Sequence, residues 1–288
     1  MNKDSLGDRM KSYENITRTY LPSRMPIIIR IDGKAFHTFT KGFKKPFDDI
    51  LMRAMEETAT VLCRDIEGVK VAYTQSDEIS LLITNNDTWE TQPWFGNNLQ
   101  KMASVAASIA TLAFNRAWDS LCEEYFGYHE AWGMFESGYS SAEEVIAADK
   151  FVKVYQRACN TGATFDARVF VLPEDEVCNY FIWRQQDAIR NSIQSMGQAY
   201  FSHKELMNKN CENIKQMLVE KNIKWEAYPI PQQRGVCVIK QSTPVMTTVY
   251  FDTNKTETTY RNKWTIDEAI PLFWKDRDYI DKLLKRQV

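Results

Sequence analysis

The chain alternates between short runs that are apolar on both faces and longer stretches in which apolar residues recur every three or four positions. The run from Pro26 to Ile31, "PIIIRI", predicts a first strand in the centre of a covered sheet, with Pro26 placed where a missing N–H costs least. In "KKPFDDILMRAMEETATVLCRDI" apolar residues fall at 47, 50, 51, 54, 55, 61, 62 and 66, which is the period of a helix with one buried face. Pro46 suits the first turn of that helix, and Asp48 and Asp49 complement the positive end of its dipole. "GVKVAYT" and "EISLLIT" predict two strands joined as a hairpin through Gln75-Ser76-Asp77. A second helix is expected from Leu99 to Ser120, where Ala103, Ala106, Ala107, Ala110 and Ala113 permit close packing on a sheet.

Residues 122–150 are aromatic and acidic, with helical pieces, and read as an insertion. "DARVFVL" predicts another strand. "PEDEVCNYFIWRQQDAIRNSIQSMG" predicts a helix with Pro173 near its start, acids in its first turn and Gly197 near its end. Beyond it, "VMTTVYFDTNKTETTYRNKW" predicts a threonine-rich hairpin. Thr265 to Glu268 has the form of a T-x-x-E capping box for a last helix, with Pro271 near its start. Without the insertion the order is β-α-β-β-α-β. That is an α+β, ferredoxin-like split unit with helices on one face of the sheet, the layout of a polymerase palm. Residues 1–200 are expected to form this palm-like catalytic domain, and 201–288 a C-terminal helical and hairpin extension.

At 288 residues and 44% hydrophobic the chain can bury a sizeable core, which excludes a disordered protein. The net charge of −2 means that any basic surface for nucleic acid must be local. No two of the cysteines have CxxC spacing, which argues against a zinc site and for reduced thiols. The first ten residues are charged and lack an apolar signal region, and "MASVAASIATLAF" is too short to span a bilayer. A soluble, cytoplasmic protein without a membrane partner is expected.

Candidate chemistry lies at the strand ends. Asp32 leaves the first strand, and Asp77 and Glu78 stand at the hairpin tip, so the expected topology gathers carboxylates at one edge of the sheet. Clustered carboxylates repel unless a cation joins them, and hard oxygen ligands suit Mg²⁺ with positions left for phosphates. Between Arg30 and Lys45 stand Arg30, Lys34, Lys41, Lys44 and Lys45 against Asp32 alone, a basic segment fit for a triphosphate. Gly33 would let main chain approach a phosphate or offer its carbonyl to a metal. Taken singly, an Asp-Gly pair and a Ser-Asp-Glu tip are ordinary turn chemistry; their conjunction is what carries weight. His37, His129 and His203 have no metal spacing, and no Walker A, G-x-G-x-x-G or G-x-S-x-G pattern is present.

In order along the chain, "RIDGKAFHTF", "KPFD", "AYTQSDEIS", "FDARVF" and "WRQQD" resemble the tRNA-His guanylyltransferase family, from near residue 25 to about 190. Weaker similarity runs through "RGVCVIK" and "EAIPLFWKDRDYI". The resemblance implies a palm-type enzyme that adds nucleotides to the 5′ end of tRNA in the 3′-to-5′ direction. It implies that Asp32, the carbonyl of Gly33, and Asp77 hold two Mg²⁺ ions, with Glu78 catalytic beside them. It also implies that Asp32, Gly33, Lys34, Ala35, Phe36 and His37, with Ser76 and Asp77, line the nucleotide site, and that Lys45, Asp48 and Lys101 lie near the base or triphosphate. ATP would activate a 5′-monophosphorylated tRNA, and the 3′-hydroxyl of GTP or another NTP would then displace AMP. A homotetramer is implied as well. One departure stands out: where members that extend tRNA-His carry His-Ile-Asn-Asn, this chain has Ile189-Arg190-Asn191-Ser192. That favours the template-dependent relatives that repair truncated 5′ ends. A dedicated tRNA-His guanylyltransferase and a non-catalytic RNA-binding palm are the other two readings.

Overall fold

The computed structural model describes residues 5–126, 142–248 and 256–284. Strands β1 (Ile27–Gly33), β2 (Val69–Gln75), β3 (Glu78–Ile83), β4 (Phe165–Val171), β5 (Val236–Thr248) and β6 (Thr256–Asp267) form one antiparallel sheet in the order β4-β1-β3-β2-β5-β6. β1 lies between β3 and β4, with Ile29 opposite Leu81 on one side and Val169 on the other. The helices are α1 (Ser5–Asn15), α2 (Asp49–Asp65), α3 (Leu99–Phe126), α4 (Ala142–Thr161), α5 (Glu174–Tyr200) and α6 (Cys211–Glu220), with short helical turns between them.

Side chains alternate across a strand, so β1 feeds two cores. Ile27, Ile29 and Ile31 join Ala54, Met55 and Leu62 of α2 and Met102, Ala106 and Phe114 of α3. Ile28 points the other way, with Val71, Tyr73 and Leu82, against Val177 and Phe181 of α5 and Ile270, Phe273 and Ile280 near the end of the chain. The expectation of helices on one face is thereby corrected: they cover both. A strand apolar on both faces needs two covers, and each fully buried isoleucine contributes about 2 kcal/mol relative to exposure. The far end of α5 forms a third, smaller core with α6 through Ile193, Met196, Ile214 and Leu218.

Four local expectations also change. α2 begins at Asp49 with Asp48 as its N-cap, so Pro46 lies outside the helix rather than in its first turn. The Asp48 carboxylate accepts from the Leu51 amide at 2.9 Å, which fixes the start. The hairpin turn is tighter than expected: Gln75 extends β2, so only Ser76 and Asp77 separate it from β3, which starts at Glu78 as expected. Of the expected insertion, residues 127–141 lie outside the described residues, while α3 runs through Phe126 and α4 occupies Ala142–Thr161. The expected capping box does not form: Thr265 is within β6, its hydroxyl donates to the Ile239 carbonyl, and among the described residues beyond it only a short turn, Asp278–Asp281, is helical. Strand pairing with β5 captures Thr265 before a helix can start there.

Candidate active site

The cross-strand register sets the site. Asp32 lies directly between Asp166 of β4 and Glu78 of β3, and one row deeper Arg30 lies between Arg168 and Ser80. Ile28 faces the α5 core, so alternation turns Arg30 and Asp32 toward that same face. Beyond β2 the two-residue turn carries Ser76 at φ 51°, a left-handed position, and its hydroxyl donates to the Asp77 carboxylate at 3.1 Å. The Gly33 amide donates to the Asp77 carbonyl at 3.0 Å, which ties the end of β1 to the turn. Asp32 and Asp77 are thus neighbours on two pinned main-chain segments. Burial pushes the Asp77 carboxyl up, and the Asp32 charge adds to the rise.

Glu78 is buried and differs from the other two. Arg184 of α5 donates to its carboxylate through Nε at 2.7 Å and Nη2 at 2.8 Å, and also to Asp187 at 3.0 Å. Ser80 donates to Glu78 at 3.4 Å and shares a 2.8 Å hydrogen bond with the Tyr180 hydroxyl. Burial raises the Glu78 carboxyl, and the Arg184 guanidinium opposes that rise. Glu78 therefore joins the sheet to α5 beside Asp32. Arg184 was not assigned a role from the sequence. Its signal was available: it occupies the stripe of α5 that includes Val177, Phe181 and Ala188, where only a paired charge can be buried.

The segment after Gly33 is shaped by one ring. A Cβ on Gly33 would sit far inside contact distance of the Phe36 ring, so glycine alone lets that ring cross the main chain. Phe36 is buried among Phe39, Phe114 and Phe165, which makes it a wall rather than a free contact. Lys34, Ala35 and His37 are exposed around it, and Ala35 has φ 55° where the short turn Phe36–Phe39 begins. Lys45 is exposed as well. Asp48 is buried and engaged: it caps α2, accepts from the Lys44 amide at 3.1 Å, and accepts from the Tyr155 hydroxyl. Asp48 and Ser76 line a common pocket of about 150 Å³, together with Phe47, Met52, Glu56 and Asn191.

Lys101 is not brought to this group. It lies in the first turn of α3, where its amide bonds Asn98 and its ammonium stands 4.5 Å over the Phe95 ring. Nearby Asn97 bonds Asn85, just past Ile83, at the end of β3 opposite Asp77.

Among the described residues no cluster of three or more acidic, histidine or cysteine groups could hold a metal alone. The crowded Asp32–Asp77 pair still fits a hard cation that completes its shell with main-chain, water or phosphate oxygens, the habit of Mg²⁺. Among the described residues no helix is long and apolar enough to cross a membrane.

Comparison with known proteins agrees with this arrangement. The family described as "Thg1: tRNAHis guanylyltransferase" matches residues 7–173. A bacterial tRNA(His) guanylyltransferase (Thg1)-like protein solved in complex with ATP is 44% identical, with a TM-score of 0.74 over 98% of this chain and 99% of that one. A structure so described in complex with GTP is 41% identical, with a TM-score of 0.72 and the same coverage. A probable tRNA(His) guanylyltransferase of Dictyostelium discoideum is 26% identical over 87% of this chain and 88% of its own length. An α/β protein with paired carboxylates at the joined ends of two strands, matched in this way, is a nucleotidyltransferase. The chain belongs to the tRNA-His guanylyltransferase family.

Proposed function

We propose that this protein is a Mg²⁺-dependent 3′-to-5′ nucleotidyltransferase that repairs the 5′ end of truncated tRNA by copying the opposite strand. The observation that carries the reading is the Asp32–Asp77 pair, two carboxylates held side by side by the Gly33 to Asp77 hydrogen bond, with the Asp32 charge raising the cost of a charge on Asp77. The strand order β4-β1-β3-β2 supports a ferredoxin-like palm in residues 27–171, which β5 and β6 then extend.

Asp32, the Gly33 carbonyl and Asp77 would hold two Mg²⁺ ions. Such ions, when bound, lower the charge cost at the attacking and departing oxygens of phosphoryl transfer. The chain's own part is positioning. Glu78, locked by Arg184, fixes the start of β3 beside Asp32. Gly33 to His37 leaves main-chain amides and Lys34 beside the phosphates, with Phe36 as the floor. Ser76 orients Asp77. The pocket holding Asp48 and Ser76 stands ready for a nucleoside, with Lys45 near its rim; Lys101 would reach the site only from a neighbouring subunit.

The ATP and GTP complexes of the bacterial relatives support ATP as activator of the 5′-phosphate and GTP or another NTP as the incoming nucleotide. A homotetramer follows from the family resemblance. It is supported by α1, which buries none of its residues and carries exposed Leu6, Met10 and Tyr13 at helical spacing.

The absence of histidine at position 189 supports template-dependent addition over a single guanylate placed on tRNA-His. The test supplies 5′-monophosphorylated tRNAs that lack their first nucleotide and differ only in the opposite base, with Mg²⁺, ATP and all four NTPs. Added nucleotides should follow the template. Addition of G to tRNA-His alone would replace repair with dedicated guanylylation.

A further inference from the structure

Trp183 is unusual for a large apolar side chain. It is 52% exposed, yet it is rigidly held. The guanidinium of Arg184 lies 4.3 Å from its ring centroid, and that guanidinium is clamped by Glu78 through the two bonds described above. The indole meets Tyr180 in a T-shaped contact with ring centroids 5.9 Å apart, and Tyr180 is fixed in turn by Ser80 and by Phe170 of β4. Two buried residues, Arg184 over the ring and Tyr180 beside it, therefore hold the indole, and about half of the side chain is left to solvent.

The surroundings are suited to a phosphodiester chain. Tyr180 lies over the strand row that contains Arg30 and Arg168, and Trp183 follows one helical turn later on the same side of α5, toward the row of Asp32. Arg30 and Arg168 are direct cross-strand partners; the Glu78 carboxylate offsets part of the Arg30 charge, while Arg168 is exposed and open to a further anion. The Nε of Arg30 is buried without a hydrogen-bond partner.

We propose that Trp183 is a stacking platform for the terminal nucleobase of the RNA, with Arg30 and Arg168 drawing in the phosphates next to it. The inference rests on the tRNA-end reading and deepens it. Stacking accepts any base, because every base has a π-face. A copying enzyme needs that tolerance, since the base at the growing end changes with each substrate. Arg184 links this platform to the carboxylates: the same guanidinium that supports the indole holds Glu78, so the RNA end and the Asp32–Asp77 pair share one rigid mount.

The test measures affinity of the full-length protein for a 5′-truncated tRNA at fixed salt, and for the same tRNA with an abasic first remaining nucleotide. Trp183→Ala should weaken binding of the intact tRNA by about fivefold or more, the range for one lost base–aromatic stack. Trp183→Phe should retain most of the affinity. The abasic tRNA should bind wild type and Trp183→Ala equally. ATP affinity and thermal midpoint serve as controls and should not move. Equal loss on intact and abasic tRNA would overturn the proposal, because the side chain would then act through Arg184 rather than on a base. Unchanged RNA affinity with a changed oligomeric state would overturn it too, by making Trp183 a contact between copies of the chain. If wild type binds the tRNA in a base-sensitive way but adds no nucleotide, the stacking stands and the polymerase reading falls. If wild type binds no tRNA, both fall.

Discussion

The guanidinium of Arg184 grips the carboxylate of Glu78 with two hydrogen bonds of 2.7 and 2.8 Å, across a sequence separation of 106 residues and between two buried side chains. The contact joins α5 to the edge of the sheet that carries Asp32 and Asp77. Removing one partner of such a pair strands the other charge in a buried place. Arg184→Ala should therefore cost about 3–5 kcal/mol. Thermal unfolding reads the loss, and Glu78→Gln with Arg184→Met should recover part of it. A stability change under about 1 kcal/mol for Arg184→Ala would mean that water reaches the pair.

Gly33 and Phe36 form a second test. The Phe36 ring lies where any side chain at position 33 would need to be. Gly33→Ala should destabilise the protein by about 1–3 kcal/mol through overpacking. Adding Phe36→Leu should lessen the damage, and a double-mutant cycle by denaturant unfolding measures the coupling. Additive effects would show that the ring has room to move.

Asp48 performs three tasks at once: it caps α2, holds the Lys44 amide and accepts from the buried Tyr155 hydroxyl. Asp48→Ala should cost about 2–3 kcal/mol, the sum of a lost cap and a stranded phenol, whereas Tyr155→Phe should cost about 1. Asp48→Asn keeps an acceptor for the cap and should fall between them. Equilibrium unfolding orders the three.

A pH effect is expected at Glu56, in the wall of the pocket. Burial, reinforced by the charge of Glu268, raises its carboxyl to about 7. A folded-state value above the unfolded one means that the folded protein holds the proton more tightly. The favourable contribution is complete below the ordinary glutamate range and is lost as pH rises through about 7. Glu56 is partly exposed, so the loss is limited to about 1–2 kcal/mol. Glu56→Gln should flatten the fall in thermal midpoint between pH 5 and pH 8. An equally steep fall in the variant would place its cause elsewhere.

Much of this architecture was legible in the sequence, and the illegible parts share a cause. The triple isoleucine of β1, the periodicity of α2 and the acids opening α5 are local signals, and each element appears where it was expected. Asp32 and Asp77 were legible as a pair because the strand–hairpin topology follows from local elements. Glu78 was read as a catalytic member of the same cluster, and its ion pair with Arg184 was not legible, because that partner lies on a distant helix and no spacing rule links the two. Asp48 looked like a dipole charge and a ligand contact; Tyr155, on a helix beyond the expected insertion, makes it a buried junction. Thr265 to Glu268 had the form of a cap, but pairing with β5 supplies more hydrogen bonds than a lone turn could. Lys101 was carried to the site by resemblance alone, and the length of β3 separates them within one chain.

The central claim is that the Asp32–Asp77 pair is built for a cation and not for stability. The direct measurement is nucleotide addition to a 5′-monophosphorylated, 5′-truncated tRNA with Mg²⁺, ATP and the four NTPs, run beside thermal unfolding, for wild type and Asp77→Asn. Wild type should restore the templated nucleotide. The variant should lose addition by more than about a hundredfold while its thermal midpoint holds or rises, since a repelling, partly buried charge has been removed. Full addition by Asp77→Asn, or loss of activity accompanied by a lowered midpoint, would contradict the account.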